Sequence, residues 1–209
     1  ECLEAMQNDK IEVSLKCRIG LGKELNYNFF EEFIDEVIKS GINIIYIHAR
    51  NAILSGISPA QNRSIPRLDY DFVRKIKFRY PNIFFVLNGG IDSLEKAKHL
   101  LYEFDGVMLG RLIQSNPFLL KRVDNFIYNE NILSEVNEDI IYNYFDYIAP
   151  KIQYESIFRL LSPLLNIFFG IPDSKKFKSE IHTHMKKQEL SKIKRIFIDF
   201  VSQNRLLLN

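Results

Sequence analysis

The chain has 209 residues, of which 46% are hydrophobic and 26% are charged, and this balance predicts a globular protein with a sizeable buried core. Its formal net charge of +2 is too small to indicate a nucleic-acid partner, so any such affinity has to come from local clustering of charge. The two cysteines, Cys2 and Cys17, are too few for a disulfide framework or a zinc site, which favours a reducing compartment and predicts no metal. No apolar run approaches the ~20 residues that a membrane-spanning helix needs, so we predict no membrane partner.

Helices and apolar strands alternate over the first half of the chain. The tail of a helix over residues 1–9 precedes the first strand. The predicted strands are residues 11–16, 42–47, 83–87 and 105–109, and the predicted helices between them are residues 27–40, 69–80 and 93–103. Strands that alternate with helices in this way, about 30 residues apart, predict a parallel sheet with right-handed crossovers.

The third strand, residues 83–87, is a run of five apolar residues, which predicts a strand that is buried on both faces. It ends at Asn88-Gly89-Gly90, and Asp92 or Ser93 can cap the helix that follows. A strand, a two-glycine turn and a helix start bring backbone N–H groups to a place where they can bind a phosphate. The alternative is a tight turn that needs two flexible residues only for its geometry.

Polar residues close all four strands. They are Lys16 with Arg18, His48 with Arg50, Asn88 with Gly89 and Gly90, and Gly110 with Arg111. A (β/α)8 barrel would use all of these strand ends as one rim and commonly holds a phosphate in its last two loops, whereas a doubly wound sheet would confine a ligand to one switch point. We therefore predict a TIM (β/α)8 barrel. Since four strands cannot close a barrel, we expect the chain to be a fragment that carries its second half, strands 5–8.

The second half of the chain has helical patterns and no strand pattern. A helix is predicted to start near Pro117, and others are predicted over residues 134–148, 151–168, 174–186 and 189–207. This indicates a separate all-α domain over residues 121–209, after a barrel part over residues 1–120. Lys and Arg far outnumber Glu between residues 175 and 195, so this stretch is either a contact surface for a phosphate backbone or a solvated helix face.

Taken together, the strand-end motifs resemble the tRNA-dihydrouridine synthases. In chain order they are Lys16-Cys17-Arg18-Ile19-Gly20, Ile47-His48-Ala49-Arg50, Leu54-Ser55-Gly56, Asn62-Arg63, Ile65-Pro66, Asn88-Gly89-Gly90-Ile91, Asp105-Gly106-Val107-Met108 and Gly110-Arg111. The loop after Arg50, long enough to be typical of a functional loop, resembles the DusA-like branch in particular. The resemblance covers residues 1–120 densely and continues through Gly170-Ile171-Pro172.

The resemblance implies a flavoenzyme that acts on tRNA. Members of this family reduce a uridine in the D-loop of tRNA to 5,6-dihydrouridine, and for this branch we expect position 20 or 20a. They use FMN, which NADPH reduces again, on a TIM barrel that a helical tRNA-binding domain follows. We expect a cytoplasmic protein, with an organelle as the alternative.

The resemblance also assigns roles by position. Lys16 and His48 would contact the flavin, and the phosphate cradle would consist of Asn88, Gly89, Gly90, Gly110 and Arg111. Arg63, Lys175 and Lys178 match positions that contact tRNA, although the two lysines replace arginines and lose the planar fork of the guanidinium group. The structural alternatives are a solvent-facing Lys16, a buried structural His48 and a plain turn at Gly110-Arg111. Arg18 and Arg50 could form ion pairs on the rim.

The general acid of the family has no match in the chain. In the family this residue is a loop cysteine that protonates uracil C5, and neither Cys2 nor Cys17 lies on such a loop. We therefore expect the catalytic cysteine upstream of residue 1 and predict little or no synthase activity for residues 1–209 alone. Two other functions stay open: another FMN- or phosphate-binding barrel enzyme, and a tRNA-binding protein without catalytic activity.

Overall fold

The computed structural model of the protein describes residues 2–7, 10–131 and 138–208, without the side chains of residues 138 and 205–208. The chain divides into two compact units, Glu1–Gly110 and Arg111–Asn209. The predicted domain bounds, 1–120 and 121–209, stay a prediction. Parts of the predicted helices over residues 1–9 and 134–148 lie outside the described residues.

The first unit contains a parallel four-stranded sheet, as the alternation of strands and helices predicts. Its strands, in spatial and chain order, are β1 (Leu15–Arg18), β2 (Ile44–His48), β3 (Phe84–Asn88) and β4 (Gly106–Met108). The accompanying helices are α1 (Cys2–Met6), α2 (Tyr27–Lys39), α3 (Tyr70–Arg79) and α4 (Leu94–Leu100). Asn26, Asp69 and Ser93 cap α2, α3 and α4 through their side-chain oxygens.

The strand register places the polar strand ends in one row. Arg18 pairs with His48, His48 pairs with Asn88, and Asn88 pairs with Met108. The predicted first strand, residues 11–16, is wrong in its bounds, because the residues that pair with β2 are Leu15–Arg18. Lys16 therefore lies within a strand, and Arg18 is the residue at the strand end.

The two faces of the sheet differ. On one face, side chains of β2 and β3 pack with α2 and α3 in a buried core, to which Ile45, Ile47, Phe85 and Leu87 belong. Alternate residues point to the other face, which carries Lys16, Tyr46, His48, Val86 and Asn88. The prediction that β3 is buried on both faces is wrong at Phe84, the first residue of the strand, which is 46% exposed, whereas Val86 on the same face is 6% exposed.

The described residues of the second unit form helices and turns and contain no strand. Its helices are α5 (Arg111–Ser115), α6 (Val123–Phe126), α7 (Glu138–Ile148), α8 (Ile157–Leu161), α9 (Ser174–Lys186) and α10 (Leu190–Leu208). A 3-10 helix, Pro117–Arg122, has Pro117 at its start. No described helix in either unit is long and apolar enough to cross a bilayer.

Aromatic packing forms the core of the second unit. The ring of Phe177 meets those of Phe168 and Phe197 edge-on, each at a centroid distance of 4.8 Å. The predicted helices over residues 174–186 and 189–207 are confirmed as α9 and α10. The continuous helix predicted over residues 151–168 is wrong, because this segment contains only α8 and a 3-10 helix, Leu164–Asn166, which starts directly after Pro163.

Candidate functional site

Lys16 and Asn88 meet at the second face of the sheet. The Lys16 Nζ lies 3.5 Å from the Asn88 Oδ1, although β2 separates the two strands that carry them. The Asn88 Nδ2 donates to the main-chain oxygen of Met108 at 2.8 Å, so the side-chain amide is held with its oxygen toward the lysine. This links β1, β3 and β4 through one side chain and keeps an exposed cation close to the ends of the strands.

His48 and Gly89 are in direct contact. His48 ends β2 and is 9% exposed, and a Cβ atom added to Gly89 would clash with the His48 Cδ2. Gly89 also has a φ of 109°, a conformation that side chains with a Cβ rarely adopt. Glycine is therefore required here for two reasons: the backbone conformation, and the imidazole ring that leaves no room for a side chain.

The turn after β3 presents its backbone in an unusual conformation. Gly90 follows Gly89 at a φ of 65°, and the Ser93 Oγ then caps α4 by accepting a hydrogen bond from the Lys96 main-chain N–H at 3.1 Å. Among the described residues, the N–H groups of Gly89, Gly90 and Ile91 donate to no main-chain oxygen. Such groups at a glycine turn are suited to bind an anion.

Gly110 and Arg111 follow β4 but fall in different units. Gly110 is the last residue of the first unit, and a Cβ atom added to it would meet nothing within 4 Å. The fold itself therefore does not require a glycine at this position. Arg111 is exposed and is the first residue of α5 in the second unit.

Arg18 holds the long loop after β2 against the sheet edge. Its Nη1 donates to the main-chain oxygens of Asn51 and Asn62, at 2.8 and 2.9 Å, and to the Asn62 Oδ1 at 3.0 Å. Arg50 similarly donates to the main-chain oxygens of Ser64, at 3.1 Å, and Pro66. Both arginines thus bind loop carbonyls, a role that the sequence-based alternative of rim ion pairs did not include.

Asn62 closes the same loop and leads into Arg63. The Asn62 Oδ1 accepts from the Ile53 N–H at 3.1 Å, and the Asn62 Nδ2 donates back to the Ile53 oxygen at 2.5 Å. Arg63 is exposed at the end of a 3-10 helix, Gln61–Arg63. Burial lowers the pKa of Arg18, and the charge of Arg63 lowers it further, so the two guanidinium groups lie near each other.

Cys17 does not have the properties of an activated thiol. Burial raises the pKa of Cys17 to about 12, and the neighbouring Lys16 offsets only part of this effect. Cys2 is exposed on α1. Among the described residues, no group of three or more His, Cys, Asp and Glu side chains could hold a metal ion.

The basic residues of the second unit differ in their partners. Lys175 is exposed, and the half-buried Lys178 lies three residues further along α9 with its Nζ 3.4 Å from the Asn166 Oδ1. Further along the chain, ion pairs join Lys192 to Glu189, Lys194 to Asp146 and Arg195 to Asp199. These pairs offset part of the positive charge of the basic run beyond α9.

Comparison with known proteins assigns the family. The dihydrouridine synthase family model matches residues 1–202. The chain belongs to the dihydrouridine synthase family. It is 37% identical over 180 residues to the tRNA-dihydrouridine(20/20a) synthase of Shewanella oneidensis. The aligned residues cover 85% of this chain and 54% of that protein.

Two further relatives have the same name and a similar level of identity. The chain is 36% identical over 184 residues to the enzyme of the same name from Vibrio cholerae, with 87% of this chain and 56% of the relative covered. It is also 36% identical over 181 residues to that of Salmonella typhimurium, with 85% and 54% covered. The chain spans about half the length of the curated relatives it matches.

This member of the dihydrouridine synthase family has site residues that the motifs did not predict. Asn62 was part of a motif, but its loop-closing role depends on a contact with Ile53 that no pattern records. Tyr70 and Lys96 each donate to a carbonyl of the two-glycine turn, at 2.6 Å. Their positions, at the starts of α3 and α4, give no sequence signal for this contact.

Proposed function

We propose that the complete gene product is a flavin-dependent tRNA-dihydrouridine synthase. It reduces a D-loop uridine, at position 20 or 20a, to 5,6-dihydrouridine with FMN and NADPH. Family membership and the name shared by the relatives support this proposal. The single observation that carries it is the grouping of Lys16, His48, Asn88 and the two-glycine turn at one edge of the sheet.

In this proposal, the four-stranded sheet is half of a (β/α)8 barrel. The helices α2 and α3 cover one face of the sheet, and the second face, with Lys16, His48 and Asn88, would line the barrel interior. A parallel sheet is stable when both of its faces are covered, and the chain spans about half the length of its relatives. Residues 1–120 would form the second half of the barrel, and residues 121–209 the helical tRNA-binding domain.

The residues at the sheet edge fit FMN. The glycine turn offers N–H groups to the phosphate, and the open space beside Gly110 lets a ligand approach the main chain. Arg111 would add charge-assisted hydrogen bonds to the phosphate. When bound, FMN supplies the transfer of hydride that reduces the uracil ring.

Lys16 and His48 would act on the flavin ring in this proposal. The Lys16 ammonium is suited to stabilise negative charge at the polar edge of the ring, and Asn88 holds it in place. His48, fixed against Gly89, is suited to donate a hydrogen bond to the flavin or to the uracil.

The general acid would come from a part of the complete gene product outside residues 1–209. Protonation of uracil C5 needs an accessible acid. Because Cys17 is buried and has a raised pKa, it is not suited to give a proton to the substrate. In this proposal, residues 1–209 alone bind their ligands but turn over little or no tRNA.

The tRNA surface would include Arg63, Lys175 and Lys178. Arg63 is exposed on a loop that Arg18 and Asn62 hold in place, which suits a contact with a phosphate backbone. Lys175→Glu should weaken tRNA binding. The plot of the logarithm of the tRNA-binding constant against the logarithm of the salt concentration should become less steep by about one unit of slope. Lys39→Glu, in an exposed ion pair with Glu36 in the first unit, is the matched control and should leave both quantities unchanged.

The decisive experiment uses the purified complete gene product, FMN, NADPH and an unmodified tRNA transcript. We expect flavin absorbance in the protein and dihydrouridine at position 20 or 20a. Bound flavin without action on tRNA would favour another FMN-dependent barrel enzyme. Retained tRNA binding without flavin would favour the non-catalytic tRNA-binding protein, for which the raised pKa of Cys17 is the supporting observation.

A further inference from the structure

Side chains hold both carbonyl groups of the two-glycine turn. The Tyr70 hydroxyl, at the start of α3, donates to the Gly89 oxygen at 2.6 Å. The Lys96 Nζ, in the first turn of α4, donates to the Gly90 oxygen, also at 2.6 Å. The two donors come from different helices, so the turn is fastened from two sides.

The geometry of the peptide bond links these carbonyls to the N–H groups of the turn. In a planar trans peptide, the C=O of one residue and the N–H of the next point in opposite directions. The Gly89 oxygen therefore fixes the direction of the Gly90 N–H, and the Gly90 oxygen fixes that of the Ile91 N–H. Neither N–H donates to a main-chain oxygen of the described residues.

The turn needs such support because its residues are glycines. Gly89 and Gly90 have φ values of 109° and 65°, and glycine samples many other conformations at little cost. Without an outside constraint, the N–H groups would have to be ordered when a ligand binds, and this would reduce the affinity. The hydroxyl and the ammonium group supply the constraint before a ligand arrives.

The charges around the turn are consistent with an anion site. The Lys96 Nζ lies 3.6 Å from the Asp92 Oδ1, so the ammonium group offsets the carboxylate beside the turn. Burial, followed by the charge of Asp92, raises the pKa of Tyr70, although Arg50 and Arg74 oppose this effect. The hydroxyl is therefore protonated at neutral pH and available as a donor.

We propose that Tyr70 and Lys96 are positioning residues, which orient the Gly90 and Ile91 N–H groups for the phosphate of the flavin. This inference rests on the proposed function, since FMN is the ligand that carries the phosphate. Neither side chain has to touch the ligand in this proposal. Their effect should therefore appear in the recognition of the phosphate and not in that of the flavin ring.

A comparison of FMN with riboflavin tests the proposal, because riboflavin has the same ring and no phosphate. The affinity of the complete gene product for both compounds is measured by titration, with wild type, Tyr70→Phe and Lys96→Gln. We expect each variant to bind FMN about 5- to 10-fold more weakly, the effect of one lost hydrogen bond, and to bind riboflavin as wild type does. Lys96→Arg should restore part of the lost preference for FMN.

Two control variants match the chemistry of these changes. Tyr102→Phe removes the hydroxyl of an exposed tyrosine in the same unit, and Lys75→Gln removes an exposed charge on α3. Both should bind the two flavins as wild type does. The unchanged affinity for riboflavin serves as the internal check that Tyr70→Phe and Lys96→Gln are folded.

Each other outcome contradicts the proposal in a recognisable way. If wild type prefers FMN and both variants keep that preference, Tyr70 and Lys96 do not position the turn, and the proposed function stands. If a variant loses affinity for both flavins equally, its side chain supports the fold and not phosphate recognition. If wild type does not distinguish FMN from riboflavin, there is no phosphate site, and both the inference and the proposed cofactor are wrong.

Discussion

The Lys16 ammonium group reaches across a whole strand to lie 3.5 Å from the Asn88 side-chain oxygen. The register explains the contact, because Asn88 aligns with Arg18, two residues beyond Lys16 on the same face of the sheet. The long lysine side chain covers that offset. A cation is thus held close to the strand ends by an amide that β4 fixes in orientation.

Removal of this cation should make the flavin of the proposed function harder to reduce. In that proposal, Lys16→Met takes away a charge that would stabilise the reduced, anionic ring, so the reduction potential should fall by roughly 30–60 mV, equivalent to a charged hydrogen bond of about 1.5–3 kcal/mol. Spectroelectrochemical titration of the complete gene product measures the shift. The control Lys23→Met, at an exposed position of the same unit, should keep the wild-type potential. An unchanged potential in Lys16→Met would remove Lys16 from the flavin site.

Replacement by alanine should destabilise the fold at Gly89 and not at Gly110. Gly89→Ala places a methyl group in a clash with the His48 ring at a φ of 109°, so the free energy of unfolding should fall by about 1–3 kcal/mol. Gly110→Ala meets open space and should change this quantity by less than about 0.5 kcal/mol. Urea unfolding compares the two variants. If Gly110 serves ligand approach, its variant should lose FMN affinity while it keeps full stability.

The loop that carries Arg63 should loosen when Asn62 is shortened. Asn62→Ala removes the Oδ1 that accepts from Arg18 and from the Ile53 N–H, and the Nδ2 that donates to the Ile53 oxygen. The free energy for local opening of the loop should fall by about 1–3 kcal/mol. Hydrogen exchange of the Ile53 amide should accelerate roughly 10- to 100-fold. Arg63→Ala, which changes the neighbouring proposed tRNA contact, should weaken tRNA binding and leave Ile53 exchange unchanged. Equal exchange in both variants would show that Asn62 does not anchor the loop.

Acid should destabilise the junction of α9 and α10 through Glu189. Hydrogen bonds from Lys192 and His184, at 2.7 and 2.6 Å, lower the pKa of Glu189 from 4.5 to about 2. A carboxyl group whose pKa is lowered in the folded state stabilises the fold at pH values above its ordinary pKa. This contribution is lost as the pH falls from 4.5 toward 2. Glu189→Gln should therefore flatten the fall of the urea midpoint across this range. Glu180→Gln is the control, and a wild-type pH profile in Glu189→Gln would contradict the assignment.

The sequence predicted the strand ends because each one combines a short apolar run with polar residues directly after it. Asn88-Gly89-Gly90 is such a case, and its glycines are required as the pattern suggested. Lys16 shows the limit of this reasoning, because its place inside β1 depends on a register that is set by pairing with β2. A shift of two residues at the end of the strand keeps the same face, so Lys16 still contacts Asn88 despite the wrong strand bounds.

Contacts between side chains and main-chain carbonyls could not be predicted. Rim ion pairs were the sequence-based alternative for Arg18 and Arg50, and the structure shows that both bind carbonyl groups of the loop. Tyr70 and Lys96 bind the carbonyls of the turn in the same way. Every residue carries a carbonyl group, so residue types give no signal for such partners.

A crystal structure of the complete gene product with bound FMN would show directly whether these strand ends share one cofactor. We expect the flavin phosphate within hydrogen-bond distance of the Gly89, Gly90 or Ile91 N–H groups, and the flavin ring against Lys16 and His48. A flavin bound elsewhere, with Lys16, His48 and the glycine turn away from it, would show that the strand ends do not form one cofactor site.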